Sequence, residues 1–349
     1  RLPWLSGTAF PGSKQGVLDE VSCKIMRIKE LDIAKGICII LVVLGHFFPE
    51  GAPHWYAVMR SVIYSFHMPV FMFVSGFVYI YAERNVSYGT FLLKKVRRIA
   101  VPYFLVSFLF IAIKLIPQAL AIYVKNPVTL SSFLKVFYYP EAAVSFWYLW
   151  ALWWFFMLVP LLRTRGARLI ALGLSLAVAS VSFELPDIFA LPKAKEMLPY
   201  FMMGAVAADW RHELSFVKKI PSWAVYLVFA VSVVLGYGAG VSVGLLMAVS
   251  GICMVLRLSS DLVPLIEKGR YGWLDTVSRY SYTIYLFHPV FVAGCLAVLK
   301  MIPLTLSDGW LFAFIAAVVT VVGVIGPMAI RMISERVFSR WRGGSAAGE

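Results

Sequence analysis

The hydrophobic pattern of this chain consists of long apolar runs separated by short clusters of charged and turn-forming residues. An apolar run of about 20 residues is long enough to cross the hydrocarbon core of a bilayer as an α-helix. We place such spans at 34–50, 61–81, 99–121, 144–162, 167–183, 197–210, 220–236, 239–257, 280–299 and 309–331. The pattern therefore predicts an all-α fold, a polytopic membrane helix bundle of about ten transmembrane helices.

The composition supports this prediction and indicates one membrane domain. Hydrophobic residues make up 61% of the 349 positions and charged residues 14%, with a mean hydropathy of +0.82. A soluble domain usually has about 25% charged residues, because it needs them to cover its surface. We assign 26–338 to the membrane domain. The aperiodic segment 1–25 lacks the apolar centre of a signal peptide, and we predict that it is a disordered extension or a mis-called start. We predict that the segment 339–349 is a flexible tail.

The net charge of +14 is distributed in a way that indicates membrane topology. Most lysines and arginines fall in alternate loops, and such a bias marks the cytoplasmic side of a membrane protein. With an even number of spans, it predicts cytoplasmic termini for a multi-pass protein of the inner (plasma) membrane. We expect contact with membrane lipid and no binding to nucleic acid, because topology accounts for the basic excess.

The cysteines provide no sign of a metal site. The four of them stand at positions 23, 38, 253 and 295, too far apart for a zinc-binding spacing. The glycines form no phosphate-binding loop, and several lie where small residues permit close helix packing. We therefore predict no metal and no permanently bound cofactor.

Candidate chemistry lies in three histidines inside apolar runs, in the segments LVVLGHFF, YSFHMPVF and YLFHPVF. These are His46, His67 and His288. At about 1.5 Å rise per residue, each lies roughly 10 to 16 Å from the charged residue at the end of its span. Ionisable side chains at such depth are costly and often functional. A buried imidazole tied to a backbone carbonyl is the structural alternative for each. Together they suggest a polar cavity in the bundle.

Several segments resemble the acyltransferase-3 family of integral membrane O-acyltransferases, especially its fucose 4-O-acetylase-like branch. The first is LDIAKGICIILVVLGH (31–46), in which Lys35 precedes His46 by eleven positions. The others follow in the order of the family: FHMPVFMFVSGFVY (66–79), KKVRRIAVPYF (94–104), SRYSYTIYLFHP (278–289) and, more loosely, SFWYLWAL (145–152). Lys35 stands where many members have arginine, so it keeps the charge but loses the bidentate geometry.

The resemblance implies a membrane O-acetyltransferase. Its donor substrate would be acetyl-CoA or another short acyl-CoA, and its acceptor a hydroxyl of an extracytoplasmic or lipid-linked carbohydrate, such as a glycolipid or an envelope polysaccharide. The phosphates of the donor need cations at the cytoplasmic face. The candidates are Lys35, Lys94, Lys95, Arg97 and Arg98. Orientation of the third span by these charges is the structural alternative.

His46 is predicted to be the general base, because an imidazole removed from water is expected to be neutral and able to accept a proton. His288 is the second catalytic candidate. A covalent acyl relay through His46, Ser75 or one of the tyrosines 280, 282 and 285 stays open. Candidates for the acceptor site or the cavity are His67, Ser75, Trp147 and Tyr285. For Ser75 and its neighbour Gly76, close helix packing is the stronger interpretation.

Two other classes of protein fit a polytopic chain with buried polar groups. A transporter or flippase of a lipid-linked sugar usually shows charged or broken helices in symmetry-related halves. No internal repeat is evident in this sequence, and its predicted spans contain almost no acidic residue. A membrane scaffold without catalysis would have no reason to place several histidines at similar depth. An enzyme is therefore favoured.

Overall fold

The structure is a computed structural model that describes residues 28–82, 87–120, 124, 126–211, 220–238, 243–301 and 309–345. No β-strand occurs in these ranges, so the predicted all-α fold is confirmed. The predicted extension 1–25 lies outside the described residues. The backbone of the last helix is described to Ser345, which is within the segment 339–349.

Helices account for most of the described chain. In chain order they are α1 (Lys29–His46), α2 (His54–Tyr81), α3 (Tyr88–Lys95), α4 (Val101–Ala119), α5 (Ser132–Lys135), α6 (Trp147–Leu158), α7 (Arg165–Ser180), α8 (Leu191–Asp209), α9 (Ser222–Val233), α10 (Gly244–Glu267), α11 (Gly272–Met301) and α12 (Gly309–Ser345). A π-helical turn, Val96–Ala100, joins α3 to α4 and makes one continuous helical segment.

Six segments of the described chain are long and apolar enough to span a bilayer. They are His54–Tyr81, Tyr88–Ala119, Val144–Leu161, Gly244–Glu267, Gly272–Met301 and Gly309–Arg336. The other predicted spans coincide with α1, α7, α8 and the shorter apolar helix Ser222–Tyr237. Large apolar side chains such as Leu105 (64% exposed) and Phe314 (67% exposed) lie on the outside of these helices, as expected for a protein surrounded by lipid. The chain is a multi-pass membrane protein.

The helices form two compact units. The first unit contains Phe71–Leu115 and Val128–Pro221. Within it, α7 packs along α8, and α6 contacts α8. Gly76 and Gly204 allow this unit to pack closely, because a Cβ at either position would clash with the backbone of the facing helix, at Phe201 or Phe73 respectively. The predicted packing role of Gly76 is thereby confirmed.

A buried ion pair also stabilises the first unit. Arg168 near the start of α7 donates from Nε and Nη2 to both carboxylate oxygens of Asp209 at the end of α8, over 2.6 and 2.8 Å. Its Nη1 donates to the carbonyl of Leu162 over 2.9 Å. Both charged side chains are less than 10% exposed. The two helices are therefore joined by a bidentate, hydrogen-bonded pair.

The second unit contains Ile33–Val70 and Ser222–Glu349. In this unit α11 packs along α12 and α9 along α10. Glycines bring α1 close to its neighbours: a Cβ at Gly36 would meet Ser278 and Leu274 of α11, and one at Gly323 would meet Val43. All three histidines of the apolar runs belong to this unit.

Candidate active site

His46 is the last residue of α1, so the helix ends four positions before the end of the predicted span at 50. Its Nδ1 lies 2.7 Å from the carbonyl oxygen of Val42, one turn earlier. A carbonyl oxygen only accepts, so the hydrogen of the neutral ring is on Nδ1. The lone pair is then on Nε2, the other ring nitrogen. The side chain of His46 is half-buried.

The end of α1 is held by side chains of α2. The hydroxyl of Tyr56 donates to the carbonyls of Leu44 and Phe47 over 2.7 and 2.9 Å. The last carbonyls of a helix have no partner within it. Tyr56 is fully buried and supplies such partners where water is excluded. Pro49 has no backbone N–H and disfavours a helical conformation at the residue before it, so α1 ends here although the apolar sequence continues through Phe48. Tyr56 satisfies carbonyls that this end leaves open.

One turn further along α2, Arg60 and Tyr64 both contact Gly45. Arg60 donates from Nε to the carbonyl of Gly45 over 2.8 Å, and the hydroxyl of Tyr64 donates to the same oxygen over 3.2 Å. A Cβ at Gly45 would stand 2.6 Å from a ring carbon of Tyr64. The glycine before His46 therefore provides the space that the Tyr64 ring occupies.

The position of His288 depends on the proline that follows it. Pro289 has no backbone N–H, so the carbonyl of Tyr285, four residues earlier, loses its usual helical donor. The Nδ1 of His288 lies 2.9 Å from this oxygen and 2.9 Å from the carbonyl of Ile284. The ring nitrogen therefore replaces the missing backbone donor. The lone pair of the neutral His288 ring is therefore on Nε2. This atom is buried and has no hydrogen-bond partner among the described residues.

The structure brings the catalytic candidates of the second unit together. The ring centroids of His46 and His288 are 4.8 Å apart, with the rings edge to face. Tyr64 lies 6.1 Å from His46 and 4.9 Å from His67, measured between centroids. The ring of Tyr285 is 6.4 Å from that of His288. Three helices, α1, α2 and α11, therefore contribute to one cluster of rings.

The burial of the three histidines differs. His67 and His288 are almost completely buried, with 1% and 0% exposure, whereas His46 is partly accessible. The Nδ1 of His67 lies 2.7 Å from the carbonyl of Ile63. His46 is thus the histidine that a substrate can reach first, and it has a lone pair at Nε2. This arrangement can remove a proton from a bound hydroxyl group.

Ser75 and Trp147 belong to the first unit. The hydroxyl of Ser75 lies 3.1 Å from that of Tyr148, a buried residue at the start of α6. The rings of Trp147 and Tyr148 are in contact, with centroids 6.2 Å apart. Ser75 therefore has a hydrogen-bond partner next to the tightly packed Gly76.

The cationic cluster also belongs to the first unit, where it spans the end of α3 and the π-helical turn. Lys94, Arg97 and Arg98 are exposed. The ammonium of Lys95 instead lies 3.5 Å from the centroid of the Phe156 ring and 5.2 Å from that of Phe91. Lys95 therefore makes cation–π contacts and is less available than its neighbours to a ligand. Lys35 lies on α1 in the second unit and is half-buried.

Arg60, Tyr56 and Tyr64 are the residues near His46 that sequence reasoning missed. Arg60 directly precedes the span predicted at 61–81, where a charge usually marks only the boundary of a span. The signal that identifies the group is the spacing, because residues 56, 60 and 64 are four apart and share one face of α2. His67 follows three positions later on the same face. No group of three or more His, Cys, Asp or Glu side chains suited to a metal ion occurs in the described ranges.

Comparisons with known proteins agree with the predicted resemblance. Residues 28–329 match the model of the acyltransferase-3 family, described as an acyltransferase domain. The nodulation protein NolL of Mesorhizobium japonicum is 26% identical over 221 residues, which are 59% of this chain and 56% of that protein. The match therefore spans about half the length of this relative. No solved structure matches the chain.

Proposed function

Since the chain belongs to the acyltransferase-3 family, we propose that it moves an acetyl or other short acyl group from acyl-CoA to a hydroxyl of an extracytoplasmic or lipid-linked carbohydrate. The observation that carries this proposal is the contact between His46 and His288 over 4.8 Å. Both rings are held through Nδ1 by a carbonyl of their own helix, and one buried Nε2 has no partner in the described chain. A buried polar atom of this kind is costly and is often retained for function.

In the proposed reaction His46 is the general base. Its Nε2 accepts the proton of the acceptor hydroxyl while that oxygen attacks the carbonyl carbon of the thioester. The tetrahedral intermediate then collapses, and the C–S bond breaks. The proton passes from Nε2 to the departing sulfur, so the products are an ester and free coenzyme A. Direct transfer needs no covalent acyl-enzyme.

His288 supports His46 in this scheme. It is fully buried, so a substrate meets His46 first, and the edge-to-face contact orients the His46 ring. A buried imidazole beside the base also excludes water, which would otherwise compete with the acceptor for the thioester. The acceptor hydroxyl is expected to lie near the accessible edge of His46, with His67 and Tyr285 in the surrounding shell.

The donor is expected to bind through its phosphates to the exposed members of the cationic cluster. Arg97 and Arg98 are suited to phosphate because a guanidinium offers several donors in a fixed geometry. Lys94 adds charge to the cluster, and Lys35, on α1 in the second unit, is a further candidate for donor binding. Coenzyme A is made in the cytosol, so this assignment requires the cluster on the cytoplasmic side, as the distribution of basic residues predicts. Cytoplasmic termini and location in the plasma membrane are part of the same proposal.

Purified protein in liposomes tests the proposal with radiolabelled acetyl-CoA as donor and membranes of a deletion strain as acceptor. His46→Ala should lower transfer about 10²–10⁴-fold and leave acetyl-CoA binding unchanged. Changing Arg97 and Arg98 together to Gln should weaken acetyl-CoA binding, at roughly 1.5–3 kcal/mol for each charged hydrogen bond. Mass spectrometry of the cell envelope from the deletion strain and its parent identifies the acylated molecule.

His67→Ala is the matched control, since it removes another buried histidine of the same unit. We expect a much smaller loss of transfer from it. Transfer within threefold of the parent for His46→Ala, at equal expression, would falsify the assigned role of the base. No transfer by the parent to any membrane fraction would instead refute the acyltransferase proposal itself.

A further inference from the structure

We infer that Arg60 is a positioning residue for His46, which it orients through the carbonyl of Gly45. This inference rests on the proposed function. It assigns a role to a charged residue that the sequence marks only as the boundary of a span. The inference rests on the contacts of the Arg60 guanidinium with two aromatic rings and with the last turn of α1, the helix that contains His46.

Arg60 is held on more than one side. Its Nε donates to the carbonyl of Gly45 over 2.8 Å, and its guanidinium carbon lies 4.3 Å from the centroid of the Tyr64 ring and 4.7 Å from that of Phe48. Phe48 follows His46 by two positions, and Gly45 precedes it directly. Arg60 therefore contacts the chain on both sides of His46. Tyr64 donates to the same carbonyl and contacts the His46 ring.

The end of a helix is its least ordered part, because the last carbonyls lack partners and the last turn frays. A base at that position needs support from elsewhere, since a displacement of about 1 Å in an active site can lower the rate about a hundredfold. Arg60 supplies this support with a positive charge, which also interacts favourably with the negative end of the helix dipole. Glycine at position 45 makes the contact possible by leaving room for Tyr64.

The chemistry of the contact requires arginine. A guanidinium donates along its edge and stacks on aromatic faces with its plane. Arg60 uses Nε for the carbonyl and stacks on Tyr64 and Phe48. An ammonium is compact and cannot make this set of contacts from the same backbone position. Arg60→Lys therefore keeps the charge and loses the geometry, which separates a positioning role from a general need for positive charge.

A double-mutant cycle tests whether Arg60 acts through His46. Transfer from radiolabelled acetyl-CoA to deletion-strain membranes is measured for Arg60→Gln, in the parent and in the His46→Ala background. In the parent we expect kcat to fall about 10- to 100-fold, with the KM for acetyl-CoA within about twofold. In the His46→Ala background we expect Arg60→Gln to have less than about a twofold further effect. Arg60→Lys should recover only a small part of the loss.

The control for loss of charge is Arg279→Gln, because the side chain of Arg279 is 60% exposed and its ion pair with Asp275 is long, at 3.5 Å. Transfer by this variant should match the parent. Equal fold-losses from Arg60→Gln in both backgrounds would overturn the inference, since Arg60 would then act independently of His46. Full recovery by Arg60→Lys would also overturn it.

A second measurement does not depend on the reaction. Diethyl pyrocarbonate modifies accessible, uncharged histidines, and peptide mass spectrometry gives the rate at each position. If Arg60 holds the end of α1, His46 should be modified several-fold faster in Arg60→Gln than in the parent. His54, an exposed histidine at the start of α2, should react at an unchanged rate. An unchanged rate at His46 would refute the positioning role even if the proposed function had failed for other reasons.

Discussion

Replacing His288 with leucine should inactivate the protein with little change in its stability. The buried Nε2 of His288 has no partner among the described residues, and such an atom costs about 1–3 kcal/mol. Leucine has a similar volume and no polar atom. The substitution also removes the Nδ1 hydrogen bond to the carbonyls of Ile284 and Tyr285. The Nδ1 donor stands in for the N–H that Pro289 lacks, so its loss leaves the Tyr285 carbonyl unsatisfied at a similar cost of about 1–3 kcal/mol. The two costs nearly cancel, and we expect the free energy of unfolding to stay within about 1 kcal/mol of the parent.

The assay is unfolding of the purified protein in mixed detergent micelles, followed by tryptophan fluorescence, beside the transfer assay. His67→Leu is the matched control: it also removes a buried imidazole and one hydrogen bond, that to Ile63 over 2.7 Å. The Nε2 of His67 is not one of the buried atoms without a partner in the described ranges. We expect no stabilisation from the control. A change of more than about 3 kcal/mol in the free energy of unfolding of His288→Leu, or undiminished transfer, would refute the reasoning.

Two further predictions concern the first unit, both measured by thermal unfolding in detergent. Gly204→Ala should destabilise the protein by about 1–3 kcal/mol, because its Cβ would clash with the backbone of Phe73. Gly173→Ala is the control, because nothing lies within 4 Å of the new Cβ. It should be neutral or stabilising by up to about 1 kcal/mol. Equal losses of stability from Gly204→Ala and Gly173→Ala would contradict the packing argument. Arg168→Met should cost about 3–5 kcal/mol by leaving the Asp209 carboxylate buried without its cation. Arg168→Met combined with Asp209→Leu should cost less, and an additive loss would disprove the ion-pair explanation.

The sequence predicts the helices well because each apolar run is a strong and local signal. Every predicted span overlaps a helix of the structure. The ends are less predictable, as α10 and α11 show. The span predicted at 239–257 corresponds to Gly244–Glu267, and the one predicted at 280–299 begins at Gly272. Hydropathy detects only the apolar part of a helix. The helix itself continues through charged residues such as Asp275 and Arg279 wherever the backbone hydrogen bonds continue.

The candidate site could be predicted only in part. The family resemblance and the apolar surroundings selected His46 and His288, but their contact depends on how α1 and α11 pack, which no local pattern shows. The role of Arg60 was missed because a charge near the end of a span is usually a boundary marker. The predicted span continues past the end of α1 because hydropathy does not register the helix-ending effect of Pro49. Contacts between helices therefore determine the geometry of the site, which local sequence patterns do not show.

The proline after His288 limits how protons move in this site. Because Nδ1 takes the place of a backbone donor to Tyr285, it cannot release its hydrogen without leaving a helix carbonyl unsatisfied. The Nδ1 of His46 is likewise engaged with Val42. Neither ring can then pass a proton from one nitrogen to the other, so neither histidine can relay a proton between the site and the solvent. In the proposed reaction the same Nε2 of His46 must receive the proton and return it. The coenzyme A thiol would leave with the hydrogen that the acceptor hydroxyl brought.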